Sequence, residues 1–325
     1  MTDRYDALGT RPYELGLHEV GDDTWAWLQP DGGWGWSNAG LVVDGDESLL
    51  VDTLYDVPLT ATMLDAMRAA VPAARDITTL VNTHNNGDHC NGNELLVGAE
   101  IIASAAAAEG MAAESPEMMA AWLAAAPRMG EVGEFVQRCF GRFDFAGVTR
   151  TLPTSTFSGQ RELSVGDTTI ELVEVGPAHT PGDVLVHVPE RRTVFTGDIL
   201  FIEGHPIVWV GPISNWLAAC DLMESWDVET VVPGHGPVTD LRGVRAVRDY
   251  LEWVRDEATR RHGDGMDALA AATDISRREL GTSRFASWGD AERIVINVDT
   301  VYRELDGGAA TPAPELFARM ATLAD

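Results

Sequence analysis

The spacing of apolar residues changes several times along the chain, and each change marks an element. Residues 24–28, 39–43 and 48–51 form short apolar or alternating runs, divided by Asp31-Gly32-Gly33 and Asp44-Gly45-Asp46. Runs of that length, broken by Gly and Asp, predict strands joined by turns. The spacing then opens to that of a helix at Leu59, Met63, Leu64, Met67 and Val71, and Pro72 marks its exit. Residues 77–81 predict a buried strand, and 100–103 another short one.

From about 105 to 142 the chain is rich in Ala and Met and poor in turn residues, which predicts two or more helices. Strand signals return at 168–175, 183–188, 193–196 and 230–232. Val244, Val247, Leu251 and Val254 then share a helical face, as do Ile294, Val298, Val301, Tyr302 and Leu305. A Pro-containing tail follows Gly307, with a short helix expected after Pro314. There is no low-complexity linker and no fixed-period repeat. Two groups of strands, each followed by helices, predict sheets inside and helices outside. The expectation is one domain over residues 1–325, with a helical insertion at about 105–150 and a C-terminal helical region at about 240–325.

Four segments then stand out for their chemistry. They are Asn82-Thr83-His84-Asn85-Asn86-Gly87-Asp88-His89, Gly176-Pro177-Ala178-His179-Thr180-Pro181-Gly182, Phe195-Thr196-Gly197-Asp198 and Val232-Pro233-Gly234-His235-Gly236. Each sets a His or Asp beside Gly where an apolar run ends. Loops at strand ends, held by a rigid sheet, are where such side chains converge. His84, Asp88, His89, His179, Asp198 and His235 are all of types that bind zinc through imidazole nitrogen or carboxylate oxygen. His18, His187, His205 and His262 lack that setting and read as ordinary surface or hydrogen-bonded histidines.

Composition narrows the function classes. Hydrophobic residues make up 45% of the 325 and charged residues 23%, a globular profile. The formal net charge of −28 repels phosphates and anionic lipids, so neither nucleic acid nor a membrane is an expected partner. Cys90, Cys139 and Cys220 are an odd, scattered set and predict no disulfide framework. The first residues lack a signal-peptide pattern, and no apolar run reaches spanning length, so the expected location is the cytoplasm.

In order and context, the four segments resemble the metal-binding motifs of the metallo-β-lactamase superfamily, and Val51-Asp52-Thr53 is similar to its early strand end behind the metal loop. That resemblance spans about residues 20–240. It implies an α/β fold, a four-layer αββα sandwich, and hydrolysis by metal-activated water. It further implies one metal on Asp88, His89 and His235 with Asp198 bridging, and another on His84, residue 86 and His179, with Asp88 or Asp198 orienting the water. One position departs: where the family has His-x-His-x-Asp-His, this chain has His84-x-Asn86-x-Asp88-His89. An amide oxygen is a poorer zinc ligand than imidazole. The expectation is therefore one zinc at Asp88, His89, Asp198 and His235, with the second ion conditional and another divalent metal an alternative. Asn86 either serves as a neutral ligand or caps its loop.

The substrate side rests on tryptophans. Trp34 and Trp36 lie in a Gly-rich segment before Asn38, and Trp209 lies beside Gly211-Pro212. Aromatic loop residues favour flat or apolar ligands, and these three are the candidate pocket residues. Trp25, Trp27 and Trp216 read as packing. Residues 197–209 resemble the branch of the superfamily that includes chlorothalonil dehalogenase, which implies hydrolytic substitution on an aromatic ring as an alternative. The leading expectation is hydrolysis of a small apolar or aromatic ester, thioester, lactone or amide. A metal-dependent lyase or cyclase step is the alternative from another class. The expected partner is a small molecule. The stripe Met111, Met118, Met119, Trp122 and Met129 reads as core or a homodimer face sooner than as a lid.

Overall fold

A computed structural model describes residues 8–324. Its centre is two β-sheets. The first has seven strands in sequence order: β1 Gly16–Gly21, β2 Thr24–Leu28, β3 Ala39–Asp44, β4 Glu47–Val51, β5 Thr79–Val81, β6 Glu100–Ser104 and β7 Ser155–Phe157. The strands up to β4 pair antiparallel, β1–β2 and β3–β4 through tight turns and β2–β3 across the longer loop of residues 29–38, and β4 through β7 pair parallel. The second sheet is ordered β12 (Thr230–Val232), β11 (Thr193–Phe195), β10 (Val184–Val188), β9 (Thr168–Glu174) and β8 (Gln160–Val165). Its pairs are antiparallel except β11 with β12.

Strand periodicity sorts side chains between layers. In β4, Leu49 and Val51 face the second sheet while Leu50 faces outward. In β10, Val184, Val186 and Val188 point into the same intersheet core, and Leu185 points to the other side. A one-residue slip would exchange these sets, so register is fixed by burial. Outside the first sheet, Met63, Leu64 and Met67 of the helix Val57–Ala70 close the outer core. Outside the second sheet lie the helices Ile213–Ser225 and Leu241–Gly263, which bury Trp216, Val244, Val247, Leu251 and Val254. Helix, sheet, sheet and helix form the four-layer αββα sandwich expected from the sequence.

The Ala- and Met-rich stretch forms three helices, Ala105–Ala113, Pro116–Ala125 and Glu131–Phe140. Met111 is buried, but Met118 is 62% exposed, so the Met stripe is not one continuous buried face. The C-terminal part adds Ala268–Arg278, Ile294–Asp306 and Ala313–Ala321. The last of these returns Phe317 to the insertion, where it packs on Phe135 and Phe140. Among the described residues no helix is long and apolar enough to cross a membrane.

Candidate metal centre

All four segments end at the same place. His84, Asp88 and His89 follow β5 in the first sheet, while His179 follows β9, Asp198 follows β11 and His235 follows β12 in the second. The side chains gather in two trios, His84/His179/Asp198 and Asp88/His89/His235, and all six residues are buried. Asp198 lies between the trios. Its Oδ1 is 3.1 Å from His89 Nε2 and 3.5 Å from His235 Nε2, and its Oδ2 is 3.3 Å from His179 Nε2 and 3.8 Å from His84 Nε2. Asp88 Oδ2 lies 3.3 Å from His235 Nε2. Gly234 lets the carboxylate approach, because a Cβ there would stand 2.1 Å from Asp198 Oδ1.

The Nδ1 atom of each imidazole is tied to an acceptor behind it. His89 Nδ1 donates to Asp52 Oδ2 at 2.9 Å, and His179 Nδ1 to the Ile207 carbonyl at 2.6 Å. His235 Nδ1 donates to the Gly32 carbonyl at 3.2 Å. Asp52 also accepts the Thr83 backbone N–H and hydroxyl, each at 2.7 Å, so the hydroxyl oxygen is left to accept from His84 Nδ1 at 3.0 Å. A proton on Nδ1 leaves the Nε2 lone pair of a neutral ring facing the centre. Thus four lone pairs and two carboxylates converge. His84 Nε2, His89 Nε2 and Asp198 Oδ1 are buried with no hydrogen-bond partner, which is costly unless a cation satisfies them. The donor set fits a divalent metal such as zinc.

The carboxylates and imidazoles shift one another strongly. Burial opposes charge on His235, but Asp198 and Asp88 outweigh it and hold the ring up at about 9. Burial likewise opposes the Asp198 carboxylate, yet His235, His89, His179 and His84 drive it well below the ordinary range. Burial and the neighbouring rings push His84 well down.

Asn86 sits at the N-cap of the short helix Gly87–Cys90, and its side chain makes no capping bond there. Its Oδ1 instead lies 2.7 Å from His179 Nε2. The loop-cap alternative is thereby corrected: the amide faces the His84/His179/Asp198 trio. Asp52 stands behind the centre as its strand-end position suggested, with φ 64, a left-handed conformation that Asp tolerates better than most residues.

Two supporting acids were not singled out from the sequence. Asp183 accepts the Thr180 backbone N–H at 2.9 Å and its hydroxyl at 2.7 Å, bracing the His179 loop, and burial raises it to about 7. The Thr180-to-Asp183 spacing beside Pro and Gly was the signal for that turn. Glu114, from the end of the first insertion helix, accepts from Asn85 Nδ2 at 2.5 Å. Nothing local in the sequence marks that contact.

Trp34, Trp36 and Trp209 belong to one aromatic cluster. Trp34 packs on Phe135, Phe140 and Phe317 at centroid distances of 6.4, 5.9 and 5.5 Å, and donates Nε1–H to Glu292. Trp36 lies 4.8 Å from Phe143, and Trp209 lies 6.3 Å from Phe317. Tyr55 bridges toward Phe140, Phe143 and Phe145. The loop bearing Trp34 and Trp36 also touches the centre: Ser37 donates to the Asp88 carbonyl, and Asn38 to the carbonyls of Pro233 and Gly236. Trp27 and Trp216 are buried core, the latter bonded to the Ile199 carbonyl. Phe201 stacks on His235 at 4.9 Å.

Comparisons with known proteins place this geometry. Human acyl-coenzyme A thioesterase MBLAC2 is 26% identical over 211 residues, 61% of this chain and 72% of that protein. The beta-lactamase-like protein 2 homolog of Caenorhabditis elegans is 24% identical over 48% of this chain, which spans about half (52%) of that relative's length. The alpha subunit of 2,4-dinitroanisole O-demethylase from Nocardioides sp. is 29% identical over 38% of this chain and 36% of its own. Among solved structures, the sec-alkylsulfatase Pisa1 from Pseudomonas sp. superposes with a TM-score of 0.67 at 16% identity, over 91% of this chain and 51% of that one. A metallo-beta-lactamase from Pontibacter korlensis gives a TM-score of 0.53 at 17% identity, over 73% of this chain and 99% of that one. The metallo-beta-lactamase superfamily model matches residues 32–235, which include all six converging side chains. The chain belongs to the metallo-beta-lactamase superfamily.

Proposed function

We propose that this protein is a metal-dependent hydrolase acting on a small apolar or aromatic ester or thioester. One observation carries the reading: Asp198 turns one carboxylate oxygen to each of two trios whose imidazole lone pairs face inward. His84, His179, Asp198 and Asn86 would hold one divalent cation, and Asp88, His89 and His235 the other, with Asp198 shared. Bound there, zinc or a similar cation acidifies water and polarises the carbonyl under attack. Asp88 accepts the proton of the attacking water and returns it to the leaving group. Asp52 acts earlier, by holding His89 in the tautomer that leaves Nε2 free, and Asp198 stands between the two trios. The aromatic cluster around Trp34, Trp36, Trp209 and Phe317 supports an apolar substrate. The relative named as an acyl-coenzyme A thioesterase supports an acyl group.

A second reading, hydrolytic substitution on an activated aromatic ring, is favoured by the same aromatic cluster together with the 29% identity to the 2,4-dinitroanisole O-demethylase subunit. Zinc-loaded protein assayed against aryl esters, acyl thioesters, lactones and activated halo- and alkoxy-aromatics separates the two. Turnover of acyl substrates that disappears in His235→Ala is the expected result. Turnover of the ring substrates alone would select the second reading, and a metal-replete protein inert to the whole panel would refute both.

A further inference from the structure

The helix Pro116–Ala125 is apolar on every side, yet it lies at the surface. Its sequence, Pro-Glu-Met-Met-Ala-Ala-Trp-Leu-Ala-Ala, holds one charged residue, Glu117, and only Pro116 of the ten is buried. The turn Ala126–Arg128 continues it, with Ala126 still right-handed at φ −47 and ψ −42. A surface helix ordinarily buries one apolar stripe and turns charge outward, as Leu241–Gly263 does with Arg242, Arg245, Asp256 and Arg260 exposed. A helix apolar all round belongs under cover.

Its own chain covers one side. Trp122 packs there on Phe317 at a centroid distance of 4.9 Å. On the other side Glu117, Met118, Ala121, Ala124 and Arg128 are exposed, Met118 by 62%. Their helical spacing puts Glu117, Ala121, Ala124 and Arg128 on one face, with Met118 beside it. The exposed apolar surface runs on to Ala112 and Ala113 before the helix and to Pro127 after it.

Charge decides what can cover that face. A chain of net charge −28 repels anionic lipids, and it repels a copy of itself wherever two acidic surfaces meet. Between Ser115 and Gly130 the only charged residues are Glu117 and Arg128, one at each end. Among the described residues, Arg128 makes no ion pair within its own chain. Set a second copy on this face, turned half a revolution about an axis between Trp122 and Leu123. Glu117 of each copy then meets Arg128 of the other, and Met118 of each lies beside Pro127 of the other. That self-complementarity is what a two-fold contact requires.

We propose that this face is a homodimer interface, in which the helices Pro116–Ala125 of two copies pack antiparallel and are held at both ends by Glu117 and Arg128. The second copy then backs Trp122 and, through it, the aromatic cluster around Phe317.

Light scattering over a dilution series tests it. Wild-type protein is expected at twice the chain mass, dissociating on dilution. Met118→Glu should leave monomers only. Glu117→Arg and Arg128→Glu should each weaken the dimer by about 10-fold or more, because the two-fold axis repeats each change and sets like charges together at both ends. The double variant Glu117→Arg/Arg128→Glu restores both pairs and should restore the dimer, a rescue that a folding defect would not give. Wild-type protein that stays monomeric at every concentration would overturn the proposal, as would a dimer indifferent to all three single changes. A monomer that binds vesicles of neutral lipid, and loses that binding in Met118→Glu, would overturn it by assigning the face to a membrane.

Discussion

The two halves of the centre use similar side chains but stand on different supports. The Asp88/His89/His235 half is braced from within the sandwich, by Asp52 at the end of β4 and by the Gly32 carbonyl of the β2–β3 loop. The His84/His179 half leans on the Ile207 carbonyl and on Thr83, and the neighbouring Asn85 bonds Glu114 from the helical insertion. One half is thus fixed by the sheets that every strand pairing supports. The other depends in part on an appended segment, so it can be tuned without disturbing the first.

Four measurements bear on that contrast. The largest effect is expected from His235→Ala, which removes one of the three side chains proposed to hold that ion. Hydrolysis should fall to background, with loss of the ion at Asp88 and His89 seen by metal analysis; an ion retained with full activity would break the assignment. Asp52→Asn should weaken metal binding by about 10- to 100-fold. It should weaken both ions in a chelator competition, since Asp52 holds His89 directly and His84 through Thr83. Asn86→His should tighten only the His84/His179 ion, imidazole being the better zinc ligand. Tightening at the other half would mean that the halves are not separable.

The smallest effect concerns a histidine outside both halves. Burial lowers His205 to about 4, whereas carboxylates hold the equally buried His235 at about 9. A depressed folded pKa gives stability that is present above the unfolded value of about 6.5 and lost as pH falls toward 4. By that linkage, His205→Asn should remove up to about 3 kcal/mol of acid sensitivity between those limits. Melting curves of the two proteins across pH 4 to 7 would check it; parallel curves would show that His205 takes no part.

Much of this was legible in the chain itself. A ligand-type residue beside Gly at the end of an apolar run is a local signal, and it located all six buried side chains. The buried strands were legible for the same reason, since Val184 to Val188 is apolar at almost every position. The edge strands β1, β7 and β8 were not, because half-exposed edges such as Gln160–Val165 carry polar residues that blur the alternation. Glu114 was not legible either, because its partner, Asn85, lies 29 residues away and the contact depends on how a helix folds back. Phe317 meets Trp34 and Trp209 only through the tertiary return of the last helix.

Each trio draws members from both sheets: Asp88 and His89 from the first with His235 from the second, and His84 from the first with His179 and Asp198 from the second. The centre therefore sits on the seam of the sandwich like a rivet through two plates. An ion held there resists sliding of one sheet over the other by fixed, directional bonds, which the non-directional apolar layer between them does not supply. Removing it frees a mechanical degree of freedom as well as a chemical one, and chelation should quicken amide exchange along β5 and β11 sooner than along the distant turns of β8 and β9.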